Sequence, residues 1–318
     1  MTRPTTAVSG RHWSQMNEAT FVPGLRLMFW IYRILGRWPA RLILYPIVFW
    51  YMIAKPGARA ASSDYLRRIA ALDSNDIRPG RTGVLRHFAS FAESILDKML
   101  LWGGLFETDL VRLHGHDRIA AEIAARRGSV LICCHLGNLD LCRVLARRSG
   151  VKMTVLTHTK HAAKFNRLLA QLDPASQLNL MQVTEISPAT AILLAEKVAA
   201  GECVAIAGDR IPVSAGSRVA SAVFLGAPAP FPVGPYILAS LFQCPVYLLF
   251  SLGRGRSPEI HFELFRESIR LPRNGRDRAL AELASDYARR LEHYCLEAPL
   301  EWFNFYDFWQ KEPSDARR

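Results

Sequence analysis

The strongest constraint on the fold is an alternation of short apolar runs and amphipathic stretches that begins near residue 110. The apolar runs include SVLICCH, KMTVLTH, CVAIAGD and PVYLLFS, and helical spacing of apolar residues fills stretches such as LDLCRVLARR and PATAILLAEKVAA. Apolar strands separated by helices of about 10–15 residues indicate βαβ units. The sequence therefore predicts an α/β fold whose central sheet is mostly parallel and is flanked by helices.

The chain divides into three parts by composition. Residues 1–20 are polar and are expected to form a mobile tail, and residues 21–56 are strongly apolar. No linker interrupts the remainder, so we expect one domain over residues 57–318, with a helical lead-in at 57–105. The domain thus follows an N-terminal hydrophobic helical segment.

That hydrophobic segment combines a long apolar run with positive charge. Thirteen consecutive apolar or aromatic residues occupy Leu42–Ala54, and residues 19–63 contain six basic residues and no acidic one. Thirteen residues are short for a membrane span, which needs about 20, and Pro46 interrupts them. We therefore expect a segment that lies at the interface of an anionic membrane, with aromatic rings at headgroup level and arginines on lipid phosphates. The alternative is a pair of helices buried in an ordinary core.

The charge balance and the cysteines exclude several classes of function. The chain carries 40 basic and 28 acidic residues, a net charge of +12, but its basic residues concentrate around apolar runs and no nucleic-acid-binding motif occurs. Neither G-x-x-x-x-G-K-[ST] nor G-x-G-x-x-G is present, so no nucleotide cofactor is expected. The six cysteines form no C-x-x-C pair, which removes support for a zinc ribbon or a redox pair and favours a reduced, cytosol-facing protein.

One histidine stands out as a candidate base. His135 ends the apolar run SVLICCH, and Asp140 follows five residues later, where a helix is expected to begin. Gly137 and Asn138 tolerate left-handed backbone angles, so a sharp turn could fold Asp140 back toward His135. A carboxylate on one imidazole nitrogen leaves the other nitrogen free as a general base. The alternative is a His–Asp pair that only stabilises the turn.

Other polar residues follow the remaining predicted strands. Asp209 and Arg210 come directly after CVAIAG, and Lys164 lies in a second basic cluster after KMTVLTH. Ligands of open α/β sheets bind beyond the carboxyl ends of the strands, so these residues are candidates for substrate binding. Arg210 could hold a phosphate group, or it could form a simple ion pair with Asp209. For Lys164 the favoured alternative is a place on a solvated helix face.

Several of these segments together resemble a known family. HLGNLD looks like the H-x4-D/E motif of the glycerolipid and lysophospholipid acyltransferases, and it is most similar to the branch of bacterial lipid A late acyltransferases, the lauroyl and myristoyl transferases. The order of the other segments is also typical of that branch: DYLRRI precedes HLGNLD, and AIAGDR, FLGAPAPFPVGPYILAS, CPVYLLF and PLEWFNF follow it. The resemblance covers roughly residues 25–310.

The resemblance implies a reaction, a location and a set of partners. It implies transfer of a fatty acyl chain from acyl carrier protein, or sometimes coenzyme A, to a lipid or glycolipid hydroxyl at the cytoplasmic face of the bacterial inner membrane. It also implies a His–acid dyad, here His135 and Asp140, with no metal, no other cofactor and no covalent acyl-enzyme. Gly137, Asn138, Asp209, Arg210 and Lys164 are then candidates for binding the substrates.

Departures from the pattern of the branch leave the acceptor open. Leu139 replaces the usual Trp, Asp140 the usual Glu, and Arg210 the usual Gln. The acceptor could be a lipid A precursor, an ornithine lipid or another glycolipid, or the lipid head of an aryl polyene. A hydrolase of lipids or thioesters is the nearest enzymatic rival, because the same base could activate water. A non-catalytic membrane scaffold is the rival from another class.

Overall fold

The computed structural model describes residues 22–72, 79–157, 163–177, 179–182, 187–211, 218–253 and 257–309. The predicted tail at 1–20 lies outside them. Ten α-helices are found in this part of the chain: α1 Val22–Leu35, α2 Arg37–Ala54, α3 Pro56–Leu72, α4 Arg81–Trp102, α5 His116–Ala124, α6 Asp140–Arg148, α7 Ala163–Leu172, α8 Pro188–Ala199, α9 Gly234–Phe242 and α10 Arg276–Glu297. The strands are β1 Arg112–His114, β2 Ser129–Cys133, β3 Met153–Thr157, β4 Leu180–Gln182, β5 Cys203–Ala207, β6 Val219–Phe224, β7 Ala227–Pro232, β8 Val246–Leu252 and β9 Glu259–Arg266.

Seven strands form one mostly parallel sheet, as the sequence predicts. Their order is β1-β9-β8-β2-β5-β3-β4. The five strands from β8 to β4 are parallel, whereas β9 pairs with β8 antiparallel and β1 runs parallel to β9. Every residue of β2 and β8 is buried. The unbroken apolar runs of these two strands are therefore explained by their central place in a sheet that is covered on both faces.

A separate hairpin contains the strand that the sequence pattern does not reveal. Strands β6 and β7 pair only with each other, antiparallel, through a turn at Leu225 and Gly226. Strand β7 reads APAPFP, and three prolines argue against a strand in sequence-based reasoning. A two-stranded sheet tolerates them because each strand has an edge that needs no backbone donor.

The N-terminal helices pack on the domain by one face only. Helix α2 buries residues spaced four apart, namely Ala40, Leu44, Val48 and Met52. Arg37 and Arg41 of α2 reach back to Glu93 of α4, with Arg41 Nη2 2.9 Å from Glu93 Oε2. A carboxylate of α4 thus holds both arginines, and their pairing with lipid phosphates stays a prediction. Over the described residues, none of the helices is long and apolar enough to cross a membrane.

Candidate active site

The site is built at the carboxyl ends of two neighbouring strands. His135 follows β2 by two residues, and Asp209 follows β5 by two residues. The strands are parallel, with Cys133 opposite Ala207, so the two side chains emerge side by side at one edge of the sheet. The amide of Gly208 donates to Cys133 O at 2.8 Å and continues the pairing beyond the last strand residue.

Asp209 holds the His135 imidazole by its Nδ1 atom. His135 Nδ1 lies 2.8 Å from Asp209 Oδ1, and the backbone amide of His135 donates to Asp209 Oδ2, also at 2.8 Å. An ionised carboxylate can only accept hydrogen bonds, so Nδ1 carries the proton and Nε2 keeps its lone pair in the neutral ring. The side chain of His135 is 34% exposed. No described residue hydrogen-bonds to Nε2, which leaves this atom available to a substrate.

The charges around the pair keep the imidazole neutral and the carboxylate ionised. Burial lowers the pKa of His135, the Arg210 cation lowers it further, and the Asp209 charge opposes both without cancelling them. Burial alone would raise the pKa of Asp209, but contacts with His135 and the charge of Arg210 outweigh it and hold the pKa below its ordinary value. The ring is therefore in its basic form at neutral pH.

Asp140 does not occupy the place that the sequence predicts for it. Its Oδ1 accepts hydrogen bonds from Arg143 at 2.7 Å and from the indole of Trp102 at 3.3 Å, and its Oδ2 lies 3.5 Å from Lys98 Nζ. Asp140 is the first residue of α6, and Arg143 follows it by three residues on the same face. The carboxylate on Nδ1 is that of Asp209, which corrects the expected pairing of His135 with Asp140. A part for Asp140 in the reaction stays a prediction.

The turn after His135 explains the glycine of the motif. Gly137 has φ +62°, and a Cβ atom there would lie 2.2 Å from the backbone oxygen of Ser251. Only glycine fits both the left-handed angle and this close approach to β8. Its amide donates to Glu301 O at 2.9 Å, so this amide is not open to a substrate oxygen. Gly137 is thus needed to shape the turn.

Asn138 is buried beside the same turn. Its Oδ1 accepts a hydrogen bond at 3.2 Å from the backbone amide of Asp140, the first residue of α6. Its Nδ2 is buried, and no hydrogen-bond partner for it exists among the described residues. Binding of substrate by Asn138 stays a prediction.

Of the two basic residues predicted to bind substrate, the structure describes the side chain of Arg210 but not that of Lys164. Arg210 follows Asp209 at the end of β5, as expected, and its Nη2 donates to Phe303 O at 3.0 Å. The positive charge of Arg210 also lowers the pKa of His135. Lys164 lies in the first turn of α7, and its side chain is outside the described part of the chain.

Sequence reasoning missed two residues that complete the site. The Trp302 indole donates to Asp209 Oδ2 at 3.0 Å and is fully buried, and Lys98 of α4 lowers the pKa of His135. The aromatic segment at Trp302–Trp309 is conspicuous in the sequence, but it indicates core closure or membrane contact and not a hydrogen bond to a carboxylate. Lys98 lies on a helix that precedes His135 by more than 30 residues and gives no local signal.

Comparison with known proteins identifies the family. A search of curated protein sequences gives no match for this chain. The family model described as "Bacterial lipid A biosynthesis acyltransferase" matches residues 102–311, which include His135, Asp140, Asp209 and Trp302. The family confirms the resemblance and supports a lipid acyltransferase activity. Because the match covers more than half of the 318 residues, the chain belongs to the bacterial lipid A biosynthesis acyltransferase family.

Proposed function

We propose that the protein transfers a fatty acyl chain from a thioester donor to a hydroxyl group of a lipid or glycolipid, with His135 as general base. One observation carries the proposal: the carboxylate of Asp209 fixes Nδ1 of His135, while Nε2 has no partner among the described residues and the ring is 34% exposed. A histidine held in this way is prepared to accept a proton from a bound hydroxyl. Membership of the family favours a lipid as the acceptor.

The proposed reaction needs a single proton carrier. His135 Nε2 takes the proton from the acceptor hydroxyl as its oxygen attacks the thioester carbonyl carbon. The carbon–sulfur bond breaks, the new ester forms, and the departing thiolate takes the proton from the imidazolium. Asp209 stays ionised and stabilises the positive ring in between. Acyl carrier protein is the donor that we propose, with coenzyme A as the alternative.

A labelled-thioester assay tests the proposed reaction. The full chain in detergent micelles is mixed with radiolabelled acyl carrier protein thioester and inner-membrane lipid extract, and the products are separated by chromatography and mass spectrometry. Label in a lipid ester supports transfer and also reports the acceptor. Label only in free fatty acid would instead mean a hydrolase. No turnover with this donor, or with a coenzyme A thioester in its place, would favour a scaffold.

We propose further that α1 and α2 lie on an anionic membrane surface, at the cytoplasmic face of the bacterial inner membrane. Twelve of the twenty large apolar side chains exposed in the described part fall between Leu27 and Ile53. Trp38 is 75% exposed and Trp50 is 67% exposed, and both belong to α2. Arg33 lies over the ring of Trp30, 5.2 Å from its centroid. Exposed indoles and an arginine among exposed apolar side chains suit the headgroup region of a bilayer.

Removal of both exposed indoles tests this membrane contact. We expect Trp38→Ser/Trp50→Ser to bind anionic phospholipid vesicles about 10- to 100-fold more weakly than the original protein, because two large apolar side chains no longer leave water. Co-sedimentation with vesicles measures the binding. The matched control is Ile192→Ser, which removes an apolar side chain that is 62% exposed on α8. Equal losses in the control and the double variant, or an original protein that stays in the supernatant, would contradict the proposal.

A further inference from the structure

Two histidines and one glutamate meet at the β1–β9 edge of the sheet, outside the candidate active site. His114 of β1 lies directly opposite His261 of β9, and Glu259 lies two residues before His261 on the same face. Strand β8 separates β9 from β2, so the cluster lies about 10 Å or more along the sheet from the strand that leads to His135. None of the three residues takes part in the proposed acyl transfer.

The separations within this cluster are those of ligands around one small cation. His114 Nε2 is 3.2 Å from Glu259 Oε2, and His261 Nε2 is 3.4 Å from the same oxygen. All three atoms lie within 4.8 Å of one another. A tetrahedral zinc ion with bonds of about 2.1 Å holds its ligand atoms about 3.4 Å apart. Two of the three separations therefore need little change to accept the ion.

The imidazole of His261 has an unsatisfied nitrogen that points into this cluster. His261 Nε2 is buried and forms no hydrogen bond with any described residue, although Glu259 lies nearby. A buried polar atom without a partner costs free energy, and a coordinated ion would remove that cost. The rings of His114 and His261 stack with centroids 4.4 Å apart and an angle of 12°. Because an imidazole binds an ion in the plane of its ring, one of these two parallel rings has to rotate about its side-chain bonds before both Nε2 atoms can face a single ion.

The two oxygens of the Glu259 carboxylate face different partners. Arg112 Nη2 lies 3.0 Å from Oε1, which fixes the orientation of the group and leaves Oε2 facing the imidazoles. Partners of this kind are usual around metal-binding carboxylates. The side chain of His114 is 46% exposed, so an ion can enter from solvent.

We propose that His114, Glu259 and His261 bind one divalent transition-metal ion, and that zinc is the ion that fits this donor set. Two imidazoles and one carboxylate are typical zinc ligands and leave a fourth position for water. The ion would join β1, a three-residue strand at the edge of the sheet, to β9. Because it would bind only the folded chain, it would stabilise the protein.

Zinc titration of the full chain tests the site. The protein is prepared in detergent without a polyhistidine tag, stripped with a chelator and titrated with Zn²⁺ in a calorimeter, and Co²⁺ is added in parallel as a visible-absorption probe. We expect one ion per chain, a tetrahedral Co²⁺ band and a rise in Tm with Zn²⁺. His114→Ala and Glu259→Gln should each weaken Zn²⁺ binding by more than about 100-fold, because loss of an outer partner alone costs about 10- to 100-fold.

A histidine elsewhere provides the matched control. His293 of α10 is 55% exposed and lies 3.9 Å from Glu297, so His293→Ala removes a surface histidine beside a carboxylate without touching the cluster. Its affinity for Zn²⁺ should equal that of the original protein. Absence of saturable binding to the original protein, or equal affinity in all variants, would overturn the proposal. Neither result bears on acyl transfer, which the labelled-thioester assay measures separately.

Discussion

Replacing His135 by alanine or glutamine is expected to lower the rate of acyl transfer by at least about 10²- to 10⁴-fold, the contribution usual for a general base. The Nε2 lone pair disappears in both variants, and glutamine restores no basic nitrogen. Initial rates with labelled acyl carrier protein thioester measure the effect. The backbone amide of His135 donates to Asp209 Oδ2, and its carbonyl oxygen accepts from the amide of Phe303. Both variants keep these backbone hydrogen bonds.

His293→Ala again serves as the control, because it removes an exposed histidine on α10 and should leave the rate unchanged. Circular dichroism and Tm of the His135 variants establish that they are folded. A folded His135→Ala protein that retains more than about a tenth of the rate would refute the general-base role, since the expected loss is at least about 10²-fold.

Asp209→Asn is expected to reduce the rate about 10³- to 10⁴-fold, the loss typical when an amide replaces the carboxylate beside a catalytic imidazole. The amide nitrogen of asparagine must face either Nδ1 of His135 or the N–H donors of His135 and Trp302. If it donates to Nδ1, the ring proton moves to Nε2 and the base is lost. Asp209 is thus a positioning residue, and the same assay applied to Asp140→Asn distinguishes the two carboxylates. A larger loss for Asp140→Asn would favour the pairing that the sequence predicts.

The pH profile of the rate distinguishes electrostatic coupling between Asp209 and His135 from a merely structural role of Asp209. The pKa of His135 lies below its ordinary value of about 6.5, so the neutral base persists at neutral pH and activity should decline only below about pH 6.5. The charge of Asp209 raises the pKa of His135, and its removal lowers that pKa further. The residual activity of Asp209→Asn should therefore survive to lower pH than that of the original protein. If the activity of both proteins declines at the same pH, the proposed electrostatic coupling is contradicted.

The sequence predicts the sheet and the position of the site more reliably than the pairing within it. Apolar runs bounded by helices place His135 and Asp209 after strands, and parallel strands end at a common edge. The order of the strands decides that β2 and β5 are neighbours, and this order depends on packing across the whole sheet. Its short distance in sequence favours Asp140 as the partner of His135. The cations of Lys98 and Arg143 hold the Asp140 carboxylate instead.

Contacts between distant segments account for the remaining differences. Trp302 reaches Asp209 across 93 residues of sequence, and Arg41 reaches Glu93 across 52. No local periodicity encodes such pairs, because each depends on how helices and the C-terminal segment fold over the sheet. The sequence does not reveal strand β7 because its prolines argue against a strand. In a two-stranded hairpin few backbone N–H donors are needed, so the strand forms despite them.

The hydrogen bond from Trp302 to Asp209 makes the anchoring of this carboxylate depend on a segment far away in the sequence. Trp302 is fully buried, so its indole cannot leave Asp209 without opening the packing around it. Local opening of the C-terminal segment would therefore remove one hydrogen-bond donor from the carboxylate and loosen its hold on the imidazole of His135.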